Sequence, residues 1–284
     1  MHHFYLQRCL ELAENGRGRV SPNPLVGCVI VQGGSVITEG WHEEFGGPHA
    51  ETVALRKAGD LARGATLYVN LEPCCHEGKQ PPCTDAILRA GIREVIFGAR
   101  DAGNKGADIL RGRGLEVTGP IMEATCRRLN RGFFSLLENG RPWVTLKKAM
   151  KKDGSIHGKI TSEEQDRWAH ARLRATHDAI LVGAGTVVAD DPKLNIRYPS
   201  PSPNPSPHRI ILDPHKKIPK DAAVLTDTDA PRTLIIHEKL PIPDLLARLK
   251  EVGITSLLVE GGESVWKSFE ESGCIDEEII LVGN

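Results

Sequence analysis

Three short segments in the first third of the chain constrain its fold most, because together they predict one metal site. His49-Ala50-Glu51 begins a predicted helix, Pro73-Cys74 follows a predicted strand, and Pro82-Cys83 begins the next predicted helix. One imidazole and two thiolates suit a tetrahedral Zn²⁺ ion whose fourth position is left for water. The fold must therefore bring one strand end and two helix starts to the same point.

The order of these residues indicates the chemistry of the predicted site. A His-x-Glu followed by Pro-Cys and a further Cys is the signature of base deaminases, in which zinc lowers the pKa of a bound water. Glu51, two residues from His49, is placed to transfer protons without binding the metal. Cys75 directly follows Cys74, and adjacent side chains seldom converge on one tetrahedral ion, so we expect Cys75 to be a bystander. A helix-capping histidine and small buried cysteines are the structural alternative for either element taken alone.

Composition excludes several classes of protein. Of 284 residues, 40% are hydrophobic and 26% charged, and 36 basic against 37 acidic residues give a formal net charge of −1. That balance provides no electrostatic footprint for nucleic acid or an anionic membrane. No apolar run approaches the roughly 18 residues of a membrane helix. Seven cysteines, three of them within ten positions, favour a reducing compartment and a metal site. We expect a cytoplasmic protein.

The first half of the chain alternates strand-like and helical segments. Apolar patterning predicts strands at 26–31, 35–39, 66–71 and 94–98. Helical spacing predicts helices at 4–14, 49–58 and 84–90. The first two strands flank Gln32-Gly33-Gly34, which predicts a hairpin. We therefore expect a mixed sheet with helices packed on it.

The pattern restarts at Asn139-Gly140-Arg141-Pro142, where we expect a domain boundary. Residues 1–140 would form one domain and residues 141–284 a second. Strands are predicted in the second half at 143–150, 179–183, 209–213, 233–237, 256–260 and 278–282. Helices are predicted at 162–175, 243–251 and 264–271. This α/β alternation predicts a parallel sheet.

Prolines occupy every second position from Pro199 to Pro207. Such a run forms neither a helix nor a central strand, so it predicts an extended surface connector between strands. The alternative is a proline-rich ligand for a partner domain.

Beyond the zinc residues, the chain resembles one enzyme family. The matching segments of the first half are Ser21–Gly27, Gly40–His42, Gly47–Glu51 and Glu72–Cys83. They are similar to the RibD family of riboflavin biosynthesis proteins, which fuses a pyrimidine deaminase to a reductase. Eight residues separate Cys74 from Cys83, a spacing typical of this family, whereas nucleic-acid deaminases usually have two. The resemblance extends from about Phe4 to the end.

The second half resembles the reductase domain of the same family. The matching segments are Arg141–Lys147, Leu173–Arg174, Asp178–Gly183, Gly185–Val187, Ala189–Arg197 and Val259–Gly262. The resemblance implies an α/β chain in which a cytidine-deaminase-like N-terminal domain precedes a dihydrofolate-reductase-like C-terminal domain. The family continues with further strands after the position of Asn284, so we expect the C-terminal domain to be truncated.

The resemblance also implies roles for individual residues. In the deaminase, His49, Cys74 and Cys83 would bind zinc and Glu51 would be the proton shuttle. Three further residues would contact the substrate, namely Asn23, His42 and Asp101. In the reductase, the implied substrate contacts are Arg174, Leu194, Arg197 and Glu260. The implied NADPH contacts are Ala149, Thr186, Asp190, Gly262, Glu263, Ser264, Val265, Trp266, Lys267 and Ser268.

Elementary chemistry agrees with parts of this assignment. Gly261-Gly262 precedes a predicted helix, and backbone N–H groups at a helix start suit a dinucleotide phosphate, although such turns are commonly structural. Arg174 and Arg197 are suitable partners for a ribose phosphate. Lys147 and Asp153 are candidate polar groups at the site of reduction.

The chain departs from the family pattern in three places. Ala102-Gly103-Asn104 shortens a loop and leaves Asn104 without a clear role. Lys151-Lys152 replaces the usual Ser-Leu, and the segment Gly158–Thr161 lacks the usual tryptophan. With these changes and the early end, we expect competent deamination but weak NADPH binding and slow or absent reduction.

The expected function is therefore two steps of riboflavin biosynthesis. Zinc-dependent hydrolysis would deaminate 2,5-diamino-6-(5-phosphoribosylamino)pyrimidin-4(3H)-one, and NADPH would then reduce the ribosyl group to a ribityl chain. We expect a small phosphorylated pyrimidine and a second copy of the chain as partners, but no nucleic acid or membrane. One alternative is a nucleic-acid base deaminase, which predicts a basic face and a short cysteine spacing. Another is a deaminase whose second domain is a non-catalytic regulatory or interaction module.

Overall fold

Two separate sheets organise the chain, one in each of the units Met1–Leu137 and Glu138–Asn284. The structure is a computed structural model that describes residues 1–156, 160–198 and 205–283. Most of the predicted proline-rich connector lies outside the described residues. So do Gly158 and Lys159, which belong to the segment that lacks the family's usual tryptophan. None of the helices in the described ranges is both long and apolar enough to span a bilayer.

The first unit contains a five-stranded sheet in the order β2-β1-β3-β4-β5. Its strands are β1 (Gly27–Gln32), β2 (Ser35–Trp41), β3 (Thr66–Leu71), β4 (Glu94–Ala99) and β5 (Glu116–Thr118). Its helices are α1 (His2–Ala13), α2 (Ala50–Ala58), α3 (Cys83–Arg89), α4 (Gly106–Gly112), α5 (Glu123–Leu129) and α6 (Arg131–Asn139). β1 pairs antiparallel with β2 and β3, whereas β3, β4 and β5 are mutually parallel. The predicted hairpin and mixed sheet are confirmed.

Helices cover both faces of this sheet because its strands are apolar on both sides. Along β1, Cys28 and Ile30 contact a buried cluster that includes residues of α2 and α3. The alternate residues Val29 and Val31 contact a second cluster that is built mainly on α1. Successive strand side chains point to opposite faces, so the continuous apolar run predicts this two-sided burial.

The second unit contains a six-stranded sheet in the order β11-β6-β10-β7-β8-β9. Its strands are β6 (Trp143–Lys151), β7 (Ala179–Gly183), β8 (His208–Leu212), β9 (Thr233–Ile236), β10 (Ser256–Val259) and β11 (Glu277–Gly283). Its helices are α7 (Glu163–Arg172), α8 (Ala184–Asp190), α9 (Ala223–Thr226), α10 (Ile242–Glu251) and α11 (Glu263–Ser272). Every neighbouring pair of strands is parallel, as predicted.

The topology of the second sheet positions a site. β10 lies between β6 and β7 although it follows both in the chain, so connections leave this part of the sheet in different directions. A crevice forms outside the carboxyl ends of parallel strands at such a point. The turns that follow β7 and β10 begin α8 and α11 at this edge.

Two features of the second unit have local causes. Ser162 caps the start of α7. Its hydroxyl accepts from the Gln165 backbone N–H, and the Gln165 side chain accepts from the Ser162 N–H. β11, the strand predicted at 278–282, lies at the sheet edge and pairs along its length with β6. Its side chains Ile280 and Val282 are about half exposed.

Candidate active sites

The three predicted zinc ligands converge in the first unit. His49 is the residue before α2, Cys83 is the first residue of α3, and Cys74 lies in the segment after β3. The Nδ1 atom of His49 lies 3.3 Å from the Sγ of Cys83 and 3.4 Å from the Sγ of Cys74. All three ligand atoms lie within 4.8 Å of one another.

This donor set fits zinc. In a tetrahedral site with Zn–S bonds of about 2.3 Å and Zn–N bonds of about 2.0 Å, nitrogen and sulfur are about 3.5 Å apart. Hydrogen bonds from Cys83 and His49 lower the pKa of the Cys74 thiol well below its ordinary value, even though burial opposes this shift. Cys74 is therefore a thiolate, the form that binds metals. Cys75 does not belong to the cluster.

The segment that carries Cys74 is held by a side chain 30 positions further along the chain. The Cys75 backbone N–H donates to Oδ1 of Asn104 at 3.1 Å, and Nδ2 of Asn104 donates to the Pro73 carbonyl at 2.8 Å. Gly106, the first residue of α4, lies so close that an added Cβ would collide with the same Pro73 carbonyl. Asn104 thus fixes the backbone on both sides of a zinc ligand.

Helix α2 is fixed against the hairpin in a similar way. At Gly40 of β2 an added Cβ would lie 2.6 Å from the Ala50 carbonyl oxygen, so the strand and the helix start are in direct contact. The Thr38 hydroxyl donates to the Ala54 carbonyl at 3.0 Å. These contacts direct Glu51 inward, where only 4% of its surface is exposed. Burial, reinforced by the negative charge of Cys74, raises the pKa of Glu51 to about 7.

A cavity of about 490 Å³ adjoins the zinc cluster, a volume that suits a small organic ligand. The predicted residues that line it are Asn23, His42, His49, Glu51, Cys74 and Asp101. His42 Nδ1 lies 3.0 Å from the Pro48 carbonyl, and His42 Nε2 lies 3.0 Å from Nδ2 of Asn23. His42 therefore donates at Nδ1 and accepts from Asn23 at Nε2. Burial lowers the pKa of His42, which keeps the ring neutral, and raises the pKa of Asp101.

A second polar cluster lies at the carboxyl end of β10. Nε and Nη2 of Arg174 donate to the two carboxylate oxygens of Glu260 at 3.1 and 2.8 Å. Nζ of Lys147 lies 3.9 Å from the same carboxylate. Burial opposes ionisation, but the charges of Arg174 and Lys147 prevail and lower the pKa of Glu260 to about 2. Asp153 instead lies in an exposed turn, where it accepts from the Ser155 N–H at 2.9 Å.

Arg197 and Leu194 belong to the same neighbourhood. Leu194 is buried with a φ of 51°, and the carbonyl of the next residue, Asn195, accepts from Nη1 of Arg174 at 3.2 Å. The Arg197 backbone N–H donates to Nδ1 of the buried His170 at 3.1 Å. The predicted substrate contacts Arg174, Leu194 and Glu260 thus adjoin one another. Arg197 contacts His170, a ring on which the charges of Arg174 and Glu260 also act.

The predicted cofactor residues lie mainly at two adjacent helix starts. Gly183 precedes α8 and Gly262 precedes α11, and a Cβ at Gly183 would lie 3.1 Å from Val265. Within the described residues no side chain caps either start, and the space beside Gly262 is open. Uncapped N–H groups and an open approach fit a phosphate of NADPH. Thr186 lies in the first turn of α8.

Four other predicted cofactor residues lie around these two helix starts. Val265 is buried in the core, and Trp266 packs partly against it, so these side chains serve packing. Ala149 of β6 packs against the same apolar cluster as Val187 of α8, and Asp190, the last residue of α8, lies four positions after Thr186 on the same face of the helix.

Comparisons with known proteins match both units. Residues 1–99 match the cytidine and deoxycytidylate deaminase zinc-binding region, and residues 142–283 match the RibD C-terminal domain. The riboflavin biosynthesis protein RibD of Aquifex aeolicus is 40% identical over an alignment covering 98% of this chain and 85% of that protein. The chain belongs to the RibD family.

Solved structures agree with this membership. RibD of Acinetobacter baumannii superposes with a TM-score of 0.87 and 35% identity, covering 99% of this chain and 86% of that one. A Thermotoga maritima structure, described as a diaminohydroxyphosphoribosylaminopyrimidine deaminase/5-amino-6-(5-phosphoribosylamino)uracil reductase, gives 0.80 and 36%, covering 95% and 84%. As a RibD protein, the chain is a bifunctional riboflavin biosynthesis enzyme with a zinc-dependent deaminase and an NADPH-dependent reductase. The expected family, fold class and cofactors are confirmed.

Sequence reasoning missed two residues of these RibD sites. The sequence left Asn104 without a clear role, yet its side chain holds the segment that carries Cys74. His170 had no predicted role. It lies four residues before Arg174 on a predicted helix, and this spacing places the two side chains on one face of the helix. That spacing is the sequence signal from which a role for His170 could have been predicted.

Proposed function

We propose that this RibD protein deaminates 2,5-diamino-6-(5-phosphoribosylamino)pyrimidin-4(3H)-one in its first unit and reduces the ribosyl group of the product in its second. Residues 1–140 would be the deaminase domain and residues 141–284 the reductase domain. The observation that carries the proposal is the convergence of the ligand trio His49, Cys74 and Cys83 with buried Glu51 on one cavity. The name of the Thermotoga maritima relative, which covers both reactions, supports the choice of substrate.

In the deaminase, each residue has a separate task. Zinc bound by the trio supplies a water of lowered pKa. Glu51 would be the group that moves protons between the attacking water and the departing ammonia, because its carboxyl group is buried beside the ligands and is not one of them. The hydrogen-bonded pair Asn23 and His42 orients the pyrimidine, and Asp101 binds the ribose at the cavity wall.

In the reductase, the polar cluster binds and orients the substrate. NADPH bound at the starts of α8 and α11 supplies hydride. Arg197 binds the ribose phosphate, while Glu260 holds the Arg174 guanidinium in one orientation. Leu194 packs beneath these groups, and its left-handed backbone turns the following residues toward Arg174.

Two further features belong to the proposal. We place the protein in the cytoplasm, since each of its seven cysteines, all within the described residues, is free. We also propose that it forms a homo-oligomer, which size-exclusion chromatography with light scattering measures directly.

One experiment tests both activities. The purified protein is incubated with the diaminopyrimidine phosphate, with and without NADPH, while ammonia release and NADPH absorbance are followed. We expect ammonia in both reactions and NADPH oxidation only after deamination. Ammonia without NADPH oxidation would contradict the reductase half and favour a non-catalytic second domain. The ratio of the two rates tests the expectation that Lys151-Lys152 and the missing tryptophan slow the reduction.

A further inference from the structure

The ring of His170 contacts Arg197 through both of its nitrogens. The Arg197 backbone N–H points at Nδ1 at 3.1 Å. On the other side of the ring, Nε and Nη2 of the Arg197 guanidinium lie 3.3 and 3.2 Å from Nε2. The ring itself is 2% exposed. One buried imidazole therefore faces N–H donors at both nitrogens.

A neutral imidazole accepts a hydrogen bond at only one nitrogen. Burial, together with the charges of Arg174 and Arg197, lowers the pKa of His170 to about 4, so the ring is neutral near pH 7. The Arg197 backbone N–H cannot rotate away, whereas its guanidinium can. The lone pair is therefore at Nδ1 and the proton at Nε2, where the ring N–H and the guanidinium face each other as two donors.

We propose that His170 is a substrate-binding residue of the reductase, whose Nε2–H donates, together with the Arg197 guanidinium, to a phosphate of the bound ligand. An anionic oxygen between them accepts from both, which turns two opposed donors into two charge-assisted contacts. This inference rests on the proposed function, because that function supplies a ribose phosphate at Arg197.

The surrounding charges favour Arg197 over Arg174 as the phosphate partner. The Glu260 carboxylate already neutralises Arg174 through two hydrogen bonds. Across the described ranges, Arg197 forms no ion pair with a carboxylate, and the residue is exposed, so solvent and a ligand can reach it. The other charged groups that act on His170 are Glu260 and Asp166. An entering phosphate thus meets one unneutralised guanidinium beside one ring N–H.

Two variants of the full-length protein separate the donor from the packing role of the ring. His170→Leu removes the donor, whereas His170→Gln keeps an amide N–H near the position of Nε2. Calorimetry measures the dissociation constants of ribose 5-phosphate, ribose and NADPH. We expect His170→Leu to weaken ribose 5-phosphate binding about tenfold or more, as the loss of a hydrogen bond to a charged group does. Ribose and NADPH should be unaffected, and His170→Gln should stay within about threefold of the wild type.

The outcomes distinguish this inference from the proposed function. Unchanged ribose 5-phosphate binding in His170→Leu, or a loss confined to NADPH, would overturn the inference and leave the proposed function intact. Failure of the wild type to bind ribose 5-phosphate would contradict the proposed substrate site itself. A measurement that needs no variant is the ¹⁵N spectrum of the His170 ring. It should report the Nε2–H tautomer and a downfield shift of that proton when ribose 5-phosphate binds, and an Nδ1–H tautomer would refute the inference.

Discussion

The Arg174 guanidinium donates to both oxygens of the Glu260 carboxylate, with side-chain exposures of only 11% and 8%. When one partner of such a buried pair is removed, the other charge is left without compensation in a dry site, which costs about 3–5 kcal/mol. When both side chains of the pair are replaced by apolar groups, neither leaves an unpaired buried charge behind.

We therefore expect Glu260→Met to lower the free energy of unfolding more than the double variant Arg174→Met, Glu260→Met does. Urea unfolding of the full chain, followed by tryptophan fluorescence, measures the difference, because Trp143, Trp168 and Trp266 all lie in the second unit. Both variants should lose reduction while retaining deamination. A double variant that is less stable than Glu260→Met would show that the pair stabilises the fold on balance.

Glu51→Gln should keep zinc and lose deamination. The amide leaves the ligand trio intact but cannot carry a proton, so we expect the rate of ammonia release to fall roughly 10²- to 10⁴-fold. Metal analysis and the ammonia assay on the same sample give both quantities. NADPH oxidation with a chemically deaminated substrate should be unchanged and serves as the control. Retained ammonia release would mean that another group moves the proton.

Cys83→Ser should lose the metal itself, because serine oxygen replaces a thiolate in a trio of donors. The matched control is Cys75→Ser, which changes the neighbouring thiol outside the cluster and should retain a full equivalent of zinc. Zinc content by mass spectrometry after dialysis against a chelator separates the two variants. Full occupancy in the double variant Cys75→Ser, Cys83→Ser would show that the assigned ligand set is wrong.

Asn104→Ala should lower the affinity for zinc, although it removes none of the zinc ligands. The change deletes the acceptor for the Cys75 N–H and the donor to the Pro73 carbonyl, so the segment that carries Cys74 loses the side-chain hydrogen bonds on either side of that ligand. We expect zinc affinity to fall about 10-fold or more, the usual effect of removing a group that orients a ligand. Competition with a chromophoric chelator measures it. Asn104→Asp, which keeps the acceptor alone, should fall between the alanine variant and the wild type.

Acid should destabilise the second unit through His170. Its folded pKa of about 4 lies below the ordinary value of 6.5, so between these values the unfolded chain binds a proton that the folded chain does not. The stability supplied by the neutral ring is therefore present above pH 6.5 and lost as the pH falls toward 4. The loss is on the order of 3 kcal/mol at most, at about 1.4 kcal/mol per pKa unit.

The comparison protein for this titration is His170→Gln, which should lose less stability over the same interval. Burial also lowers the pKa values of His42 and His208, but both histidines remain in each protein, so their contributions cancel. Urea unfolding at pH 4.5, 5.5 and 6.5 gives the two slopes. Equal slopes would mean that His170 titrates normally in the folded protein.

The zinc centre could be predicted from the sequence because its ligands lie at the ends of elements that have local sequence signals. His49 and Cys83 lie at helix starts, and both helix starts have sequence signals. The role of Asn104 had no such signal, since its partners Cys75 and Pro73 lie about 30 positions away and are backbone atoms. Their approach depends on the path of a loop, which patterning does not encode.

The region between β4 and the predicted boundary shows a second limit. It contains α4, α5 and α6, together with the three-residue strand β5, and none of them was predicted. Elements of three to nine residues offer at most about two and a half helical turns, so their apolar spacing alone is a weak signal. Tertiary packing on the sheet stabilises them. The tautomer of His170 likewise depends on a backbone N–H that only the folded loop brings to the ring.

Because of the close contacts at Gly40 and Gly106, substitutions there should impair the deaminase, although neither residue contacts the metal or the pyrimidine. A methyl group at Gly40 would push away the helix that carries Glu51, and one at Gly106 would push away the segment that carries Cys74. A genetic screen for riboflavin auxotrophs would therefore recover substitutions at these two glycines beside those at the ligands.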